Sequence, residues 1–263
     1  MKRFLITALL AITSTVTLWA WGGQGHSTVA HIAERYMTKR AKSNVESYIG
    51  GRSIVYYASW MDYVRQFEPY VVTTNWHVDY WTDAERTDSE GKPMPPNHVR
   101  QINRIVADMK DDFRSLPDSL VTINIKFLVH LVGDMHCPVH IDFPQSRPMW
   151  YMVNGVRTRF HKMWDGAVIS NKHKGCSPIQ LAEEFDIYTD EQIAQIQQGT
   201  PMDWHNENIV GARRAMEMVP ADGVLTDGVL TDEYFDEAVV IAEERLTYAG
   251  YRLAAILNAI FDK

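Results

Sequence analysis

The sequence predicts an all-α fold: a single compact multi-helix domain with one small β-hairpin. Three observations carry that expectation. Apolar residues recur at helical spacing over several long stretches. Only the segment around Asn154-Gly155 alternates with the two-residue period of strands. No shift in composition divides the 263 residues, 46% hydrophobic and 22% charged, into separate bodies. A chain of that size buries a large core.

The elements follow in chain order. Lys2 and Arg3 precede an apolar run from Phe4 to Trp19 that ends at Ala20. These are the basic, apolar and small-residue parts of a secretory signal peptide, residues 1–20. The run is short for a membrane span and no stop-transfer pattern follows, so the expectation is cleavage before Trp21. The product, residues 21–263, is then secreted or periplasmic, with no membrane anchor. The chain contains no Asn-x-Ser/Thr sequon, which favours a bacterial product over a glycosylated one.

Ser27–Arg40 presents Val29, Ile32, Ala33, Tyr36 and Met37 on one stripe, with Ser27 as a candidate N-cap. Asn97–Phe113 repeats the pattern through Val99, Ile102, Val106 and Met109. Leu120–Met135 is apolar on most faces, as a helix buried on all sides requires. Met149–Phe160 is the hairpin. Trp204–Met218 and Asp232–Phe261 complete the helices, the last long and amphipathic with Gly250 its weak point. Pro93, Pro95, Pro96, Pro144, Pro148, Pro178 and Pro201 mark loops. The short duplication within Asp222–Leu230 reads as a loop expansion without chemistry.

Charge and cysteine content exclude several classes. With 26 Lys+Arg against 33 Asp+Glu the net charge is −7, which argues against a protein that coats duplex nucleic acid with a basic face. Loss of Lys2 and Arg3 leaves 24 basic against 33 acidic residues, −9. Two cysteines exclude a disulfide-stapled miniprotein and a Cys-rich zinc domain. Ten histidines in an acidic chain are compatible with metal binding, since imidazole and carboxylate are common ligands.

Histidine and aspartate cluster at ligand spacing. His130 and Asp134 lie four apart on the central helix, and His161 and Asp165 repeat that spacing. His140 follows just beyond Cys137-Pro138; Asp62, His77 and His26 come earlier. A lone His-x-x-x-Asp is more often a hydrogen-bonded surface pair. His130 and Asp134, however, interrupt the apolar run Phe127-Leu128-Val129-His130-Leu131-Val132-Gly133-Asp134-Met135. Burying them there is costly unless a cation compensates, so metal binding is the better reading for this helix.

Several motifs together resemble those of the S1/P1 nuclease family. They are Trp21-Gly22-x-x-Gly25-His26-x-x-Val29-Ala30, Ser59-Trp60-x-Asp62-x-x-Arg65, Trp76-His77, the stretch 127–140, Phe160-His161-x-x-Trp164-Asp165 and Gly250-Tyr251-Arg252-Leu253-Ala254. The resemblance implies the all-α phospholipase C/P1 nuclease fold and a cluster of three Zn²⁺. Asp62, His77, His130 and Asp134 would bind the first zinc. His140, His161 and Asp165 would bind the second. His26, Asp134 and the backbone amine and carbonyl of Trp21 would bind the third, which ties metal assembly to signal cleavage. It further implies a metal-activated hydroxide attacking phosphodiesters of single-stranded DNA and RNA to leave 5′-phosphates, with 3′-nucleotidase activity. Asp62 and Arg65 are the catalytic candidates, Arg65 facing the phosphate or orienting Asp62 by an ion pair. The expected partners are those nucleic acids and 3′-nucleotides, with a monomer and no stable protein partner.

Two departures touch the base pocket. The aromatic residue expected after the ligand histidine is replaced in His77-Val78-Asp79-Tyr80, and a Gly-Gly-Asn loop is replaced by Ser146-Arg147-Pro148-Met149-Trp150. Tyr80 and Trp150, with Trp81 and Tyr151, are therefore the candidate substrate-binding residues. The altered pocket keeps open a phospholipase C-like or other phosphodiesterase on the same cluster. His31, His98, His136, His173 and His205 match no ligand position and are expected at the surface or behind the ligands. Cys137 and Cys176 are left either as a disulfide or as free thiols. Three zinc ions would bring the net charge of the cleaved chain to about −3 and concentrate positive field in a cleft.

Overall fold

The helical stripes become eleven α-helices among the residues that the computed structural model describes: 21–80, 88, 90–92, 94–142, 149–153, 155–219 and 228–263. The expected signal peptide, Trp81 and the 146–148 segment lie outside that set. In chain order the first helices are α1 (Gly22–Tyr36), α2 (Lys39–Tyr48), α3 (Trp60–Val64), α4 (Asn97–Met109) and α5 (Asp118–His136). Then come the short α6 (Phe160–Lys162), which runs through a π-helical turn at Met163–Ala167 into α7 (Val168–Lys172), and α8 (Pro178–Phe185). The set closes with α9 (Asp190–Ile196), α10 (Pro201–Glu217) and α11 (Asp232–Phe261).

Local chemistry explains where the boundaries depart from expectation. The first helix starts at Gly22 instead of behind Ser27, and it ends at Tyr36. Thr38 then caps α2 by accepting from the Ala41 amide, so the stretch predicted as one helix is two. Pro178 and Pro201 open helices; at the first position the missing N–H has no partner to lose. Ser177, Thr189 and Thr200 cap α8, α9 and α10 with reciprocal side-chain bonds from the third residue.

The central apolar run forms α5, buried along nearly its whole length from Val121. Helices α1, α4 and α11 pack around it, and α11 lies along α1. At that crossing Gly250 is a contact and not a weak point: a β-carbon there would sit 2.5 Å from Cβ of Ile32.

Strands are few and short. The hairpin pairs β3 (Trp150–Val153) with β4 (Val156–Arg159), Trp150 opposite Arg159 and Val153 opposite Val156. A two-residue strand, β5 (Gly228–Val229), adds parallel to β3. Part of the segment read as a bare loop is thus a strand, and its preceding residues 220–227 lie outside the described set. Strands β1 (Asp79–Tyr80) and β2 (Ile141–Asp142) pair in parallel and join the segment after His77 to the segment after His140. Among the described residues no helix is long and apolar enough to cross a membrane.

Candidate metal centre

Five separate pieces of chain deliver the sequence-predicted ligands to one place. His26 comes from the start of α1, Asp62 from α3, and His77 from the end of a 3₁₀ turn over Tyr70–Trp76. His130 and Asp134 stand one turn apart on α5, and His140 ends the 3₁₀ turn at Pro138–His140 that follows it. His161 lies on α6 and Asp165 in the π-helical turn beyond, a local widening often found at functional sites.

Asp134 is the hub. His77 Nδ1 lies 2.9 Å from its Oδ2 and His130 Nε2 3.2 Å from the same oxygen. His26 Nε2 lies 3.2 Å and His140 Nδ1 3.5 Å from Oδ1. Asp62 reaches His77 and His130 at 3.7 Å each, while Asp165 reaches His140 at 3.7 Å and His161 at 3.5 Å. Ligand atoms bound tetrahedrally at about 2.0–2.1 Å stand roughly 3.3 Å apart, so these separations suit groups that share cations. His26 and His130 are stacked, ring centroids 3.9 Å apart.

Hydrogen bonding supports the same reading. Both nitrogens of His26 and His140, both oxygens of Asp62 and Asp165, and Oδ1 of Asp134 are buried without a well-formed hydrogen bond among the described residues. Each such group costs about 1–3 kcal/mol if nothing compensates. His130 Nδ1 donates to the Ala58 carbonyl at 2.8 Å, which turns Nε2 toward the cluster.

The electrostatics describe a site that wants positive charge. Burial alone would depress His130, but the Asp134 and Asp62 carboxylates hold it up at about 9. Burial lowers His77 and His140 to about 4, and lowers His26 as well. Burial pushes Asp165 up to about 7, with Asp134 and Asp62 adding to the rise. Asp134 stays well below the usual carboxylate range despite its burial, because His130 and His140 favour its charged form.

The site opens on one side. His161 is 38% exposed and Arg65 22%, against almost complete burial of the other ligand side chains. Arg65 Nη2 lies 3.4 Å from Asp62 Oδ1, so the ion pair that the spacing allowed is present. Trp21 is buried, with its indole donating to the Gly133 carbonyl at 2.9 Å and its own carbonyl accepting from the Gly25 amide at 3.0 Å. Its φ of 37° lies in the left-handed region. Half-buried Trp150 packs against two guanidinium groups, Arg157 at 4.1 Å and Arg159 at 4.9 Å from the ring centre. The backbone of Tyr80 lies in β1; its side chain is outside the described residues.

Three residues near the proposed ligands have partners that the sequence did not specify. Cys137 joins His140 and Asp165 in a group of potential ligand atoms within 4.8 Å of one another, although burial and the nearby Asp165 charge keep its thiol protonated. It and Cys176 are free thiols. His136 donates through Nδ1 to the Val132 carbonyl at 2.7 Å and accepts from Arg252 at 3.0 Å, which fastens α5 to α11. His98 takes the second of its two expected places, behind the ligands: it is fully buried and donates to the backbone carbonyl of His77 at 2.7 Å. The contiguous apolar run around His136 was a usable signal for its burial; nothing local marks His98.

An all-α domain converging on buried His/Asp groups that can hold metal defines a helical metalloprotein. The S1/P1 Nuclease family model matches residues 21–262. The chain belongs to that family and is an enzyme of the phosphodiester-hydrolysing class. It is 24% identical to Nuclease S1 of Aspergillus oryzae (strain ATCC 42149 / RIB 40) over 99% of this chain and 98% of the relative. It is 25% identical to Nuclease P1 of Penicillium citrinum over 91% and 97%, and 23% identical to Endonuclease 4 of Arabidopsis thaliana over 92% and 89%.

Proposed function

We propose that the chain is an exported zinc-dependent nuclease. It cleaves single-stranded DNA and RNA to 5′-phosphate products, and it removes the phosphate from 3′-nucleotides. The observation that carries this reading is the convergence of four imidazole nitrogens on the Asp134 carboxylate within 3.5 Å. The names of the relatives, nucleases along nearly their full lengths, support it from a second direction.

Asp62, His77, His130 and Asp134 would hold one zinc; His140, His161 and Asp165 a second; His26, Asp134 and the Trp21 backbone a third. Zinc at these positions supplies Lewis acidity toward phosphoryl oxygens and makes a water acidic enough to attack near neutral pH. The protein groups do the rest. Asp62 accepts a hydrogen bond from the attacking water and aims it at phosphorus. Arg65, partly exposed beside Asp62, faces the phosphoryl oxygens, where planar guanidinium geometry suits developing charge. Trp150 and Tyr80 are assigned to the nucleobase, Trp150 with Arg157 and Arg159 forming an aromatic and cationic face. A recessed cluster favours a strand that can bend inward, hence single strands over duplex. A chain cut before Trp21 frees the amine that the third zinc needs, and zinc can displace its proton.

The test is a side-by-side assay of the exported protein on denatured DNA, RNA, 3′-AMP and phosphatidylcholine. The first three are hydrolysed, and chelation abolishes each activity. Turnover of phosphatidylcholine without denatured DNA would replace the reading with a phospholipase. Zinc binding without any hydrolysis would make the chain a binding protein.

A further inference from the structure

We propose a further zinc site, separate from the Asp134 cluster, formed by Asp79, His98 and His205. Each residue offers a ligand atom within 4.8 Å of the other two, and all three side chains are buried. They come from three elements, Asp79 from β1, His98 from the first turn of α4 and His205 from α10. None occupies a position that the family resemblance assigns to metal.

His98 carries the inference furthest. Its Nε2 donates to the His77 carbonyl at 2.7 Å, which fixes the proton on that nitrogen. The lone pair is therefore on Nδ1, which is fully buried and has no hydrogen-bond partner among the described residues. With one ring nitrogen tied to a backbone carbonyl and the other buried without a partner among the described residues, the ring has a single nitrogen left to offer a metal. A carboxylate and two imidazoles form a donor set of the hard and borderline kind that zinc accepts, with water for a fourth position.

The position gives the site a job. Asp79 lies two residues beyond His77 and its strand pairs with Ile141, next to His140. His98 faces the ring of His140, centroids 6.3 Å apart at 25°. Zinc there joins β1, α4 and α10 behind two ligands of the Asp134 cluster and holds the His77 backbone in place. It acts as a structural support and touches no substrate.

Anomalous diffraction above and below the zinc edge, on crystals of the exported wild-type protein, tests this directly. The expected result is a peak between Asp79, His98 and His205, distinct from those around Asp134. Peaks around Asp134 with none between these three overturn the inference and leave the nuclease reading standing. Absence of peaks around Asp134 would instead count against that reading. In solution, folded His205→Gln should contain one zinc per chain fewer than wild type by elemental analysis. Equal content in the two folded proteins overturns the site. If the variant does not fold, the wild-type anomalous map decides alone.

Discussion

Asp134 has four imidazole nitrogens around one buried carboxylate, so its replacement should be felt by every metal at once. Asp134→Asn should lose most bound zinc and lower kcat/KM by about 10³-fold or more, the scale expected when metal activation fails. Elemental analysis beside a DNA assay checks both. Arg65 is a cleaner probe of transition-state charge. Arg65→Ala should keep its zinc yet lose roughly 10²–10³ in kcat, as removal of one oxyanion donor does elsewhere. If kcat is unchanged, Arg65 only holds Asp62. Gly133 was invisible as a functional residue in the sequence, since a glycine in an apolar run reads as packing. Its reason is His26: a β-carbon at 133 would lie 2.8 Å from His26 Nδ1. The pairing of His130 with Asp134 was legible, because His and Asp inside an apolar helix need a cation; the other proposed ligands rested on the resemblance. His98 was not legible, because its partners are a backbone carbonyl and residues far away in sequence.

Helices α5 and α11 were readable from their apolar patterns, and α11 runs over the residues predicted. Helix starts were less so. A proline followed by an amphipathic stretch reads as a loop until its neighbour is seen to cap a helix, as Ser177 and Thr200 do. The split between α1 and α2 depends on one threonine hydroxyl, too local a choice for periodicity to reveal. The crossing of α1 with α11 makes a prediction whose sign is informative. In an isolated helix Gly250→Ala would stabilise by about 1 kcal/mol. Here the new methyl meets Ile32 Cβ at 2.5 Å, so the variant should lose about 1–3 kcal/mol by denaturant unfolding. A stabilised variant would show that the two helices can separate without loss.

Over the whole molecule, the metal-free chain should be most stable near pH 6.5. Between pH 4 and 6.5 the unfolded chain binds protons that native His77 and His140, lowered to about 4, refuse, and His26 adds to this. Stability therefore rises with pH there, by about 1.4 kcal/mol per unit for each uncompensated proton. Asp165, raised to about 7, holds a proton in the native chain and offsets one of them. Above 6.5 native His130, raised to about 9, keeps a proton the unfolded chain has lost, so stability falls. Melting of chelator-treated protein from pH 4.5 to 9 should trace that maximum; a rise continuing to pH 9 would contradict it. The proposed signal cleavage enters at the same level. The left-handed φ of Trp21 costs a non-glycine residue about 1–2 kcal/mol in an intact chain, and cutting before Trp21 removes that restriction. A form retaining residues before Trp21 should bind one zinc fewer by elemental analysis. The net charge of −7 still argues against a duplex-coating basic face, while the proposed zinc ions would concentrate positive charge at the cluster.

Metal reconstitution decides most directly whether these residues make a zinc nuclease. Exported protein is stripped by chelation and titrated with zinc while 5′-phosphate release from denatured DNA is followed. Release should vanish on stripping and return with added zinc to a plateau. Activity that survives complete stripping, or that stays absent at full zinc occupancy, would contradict the proposed function.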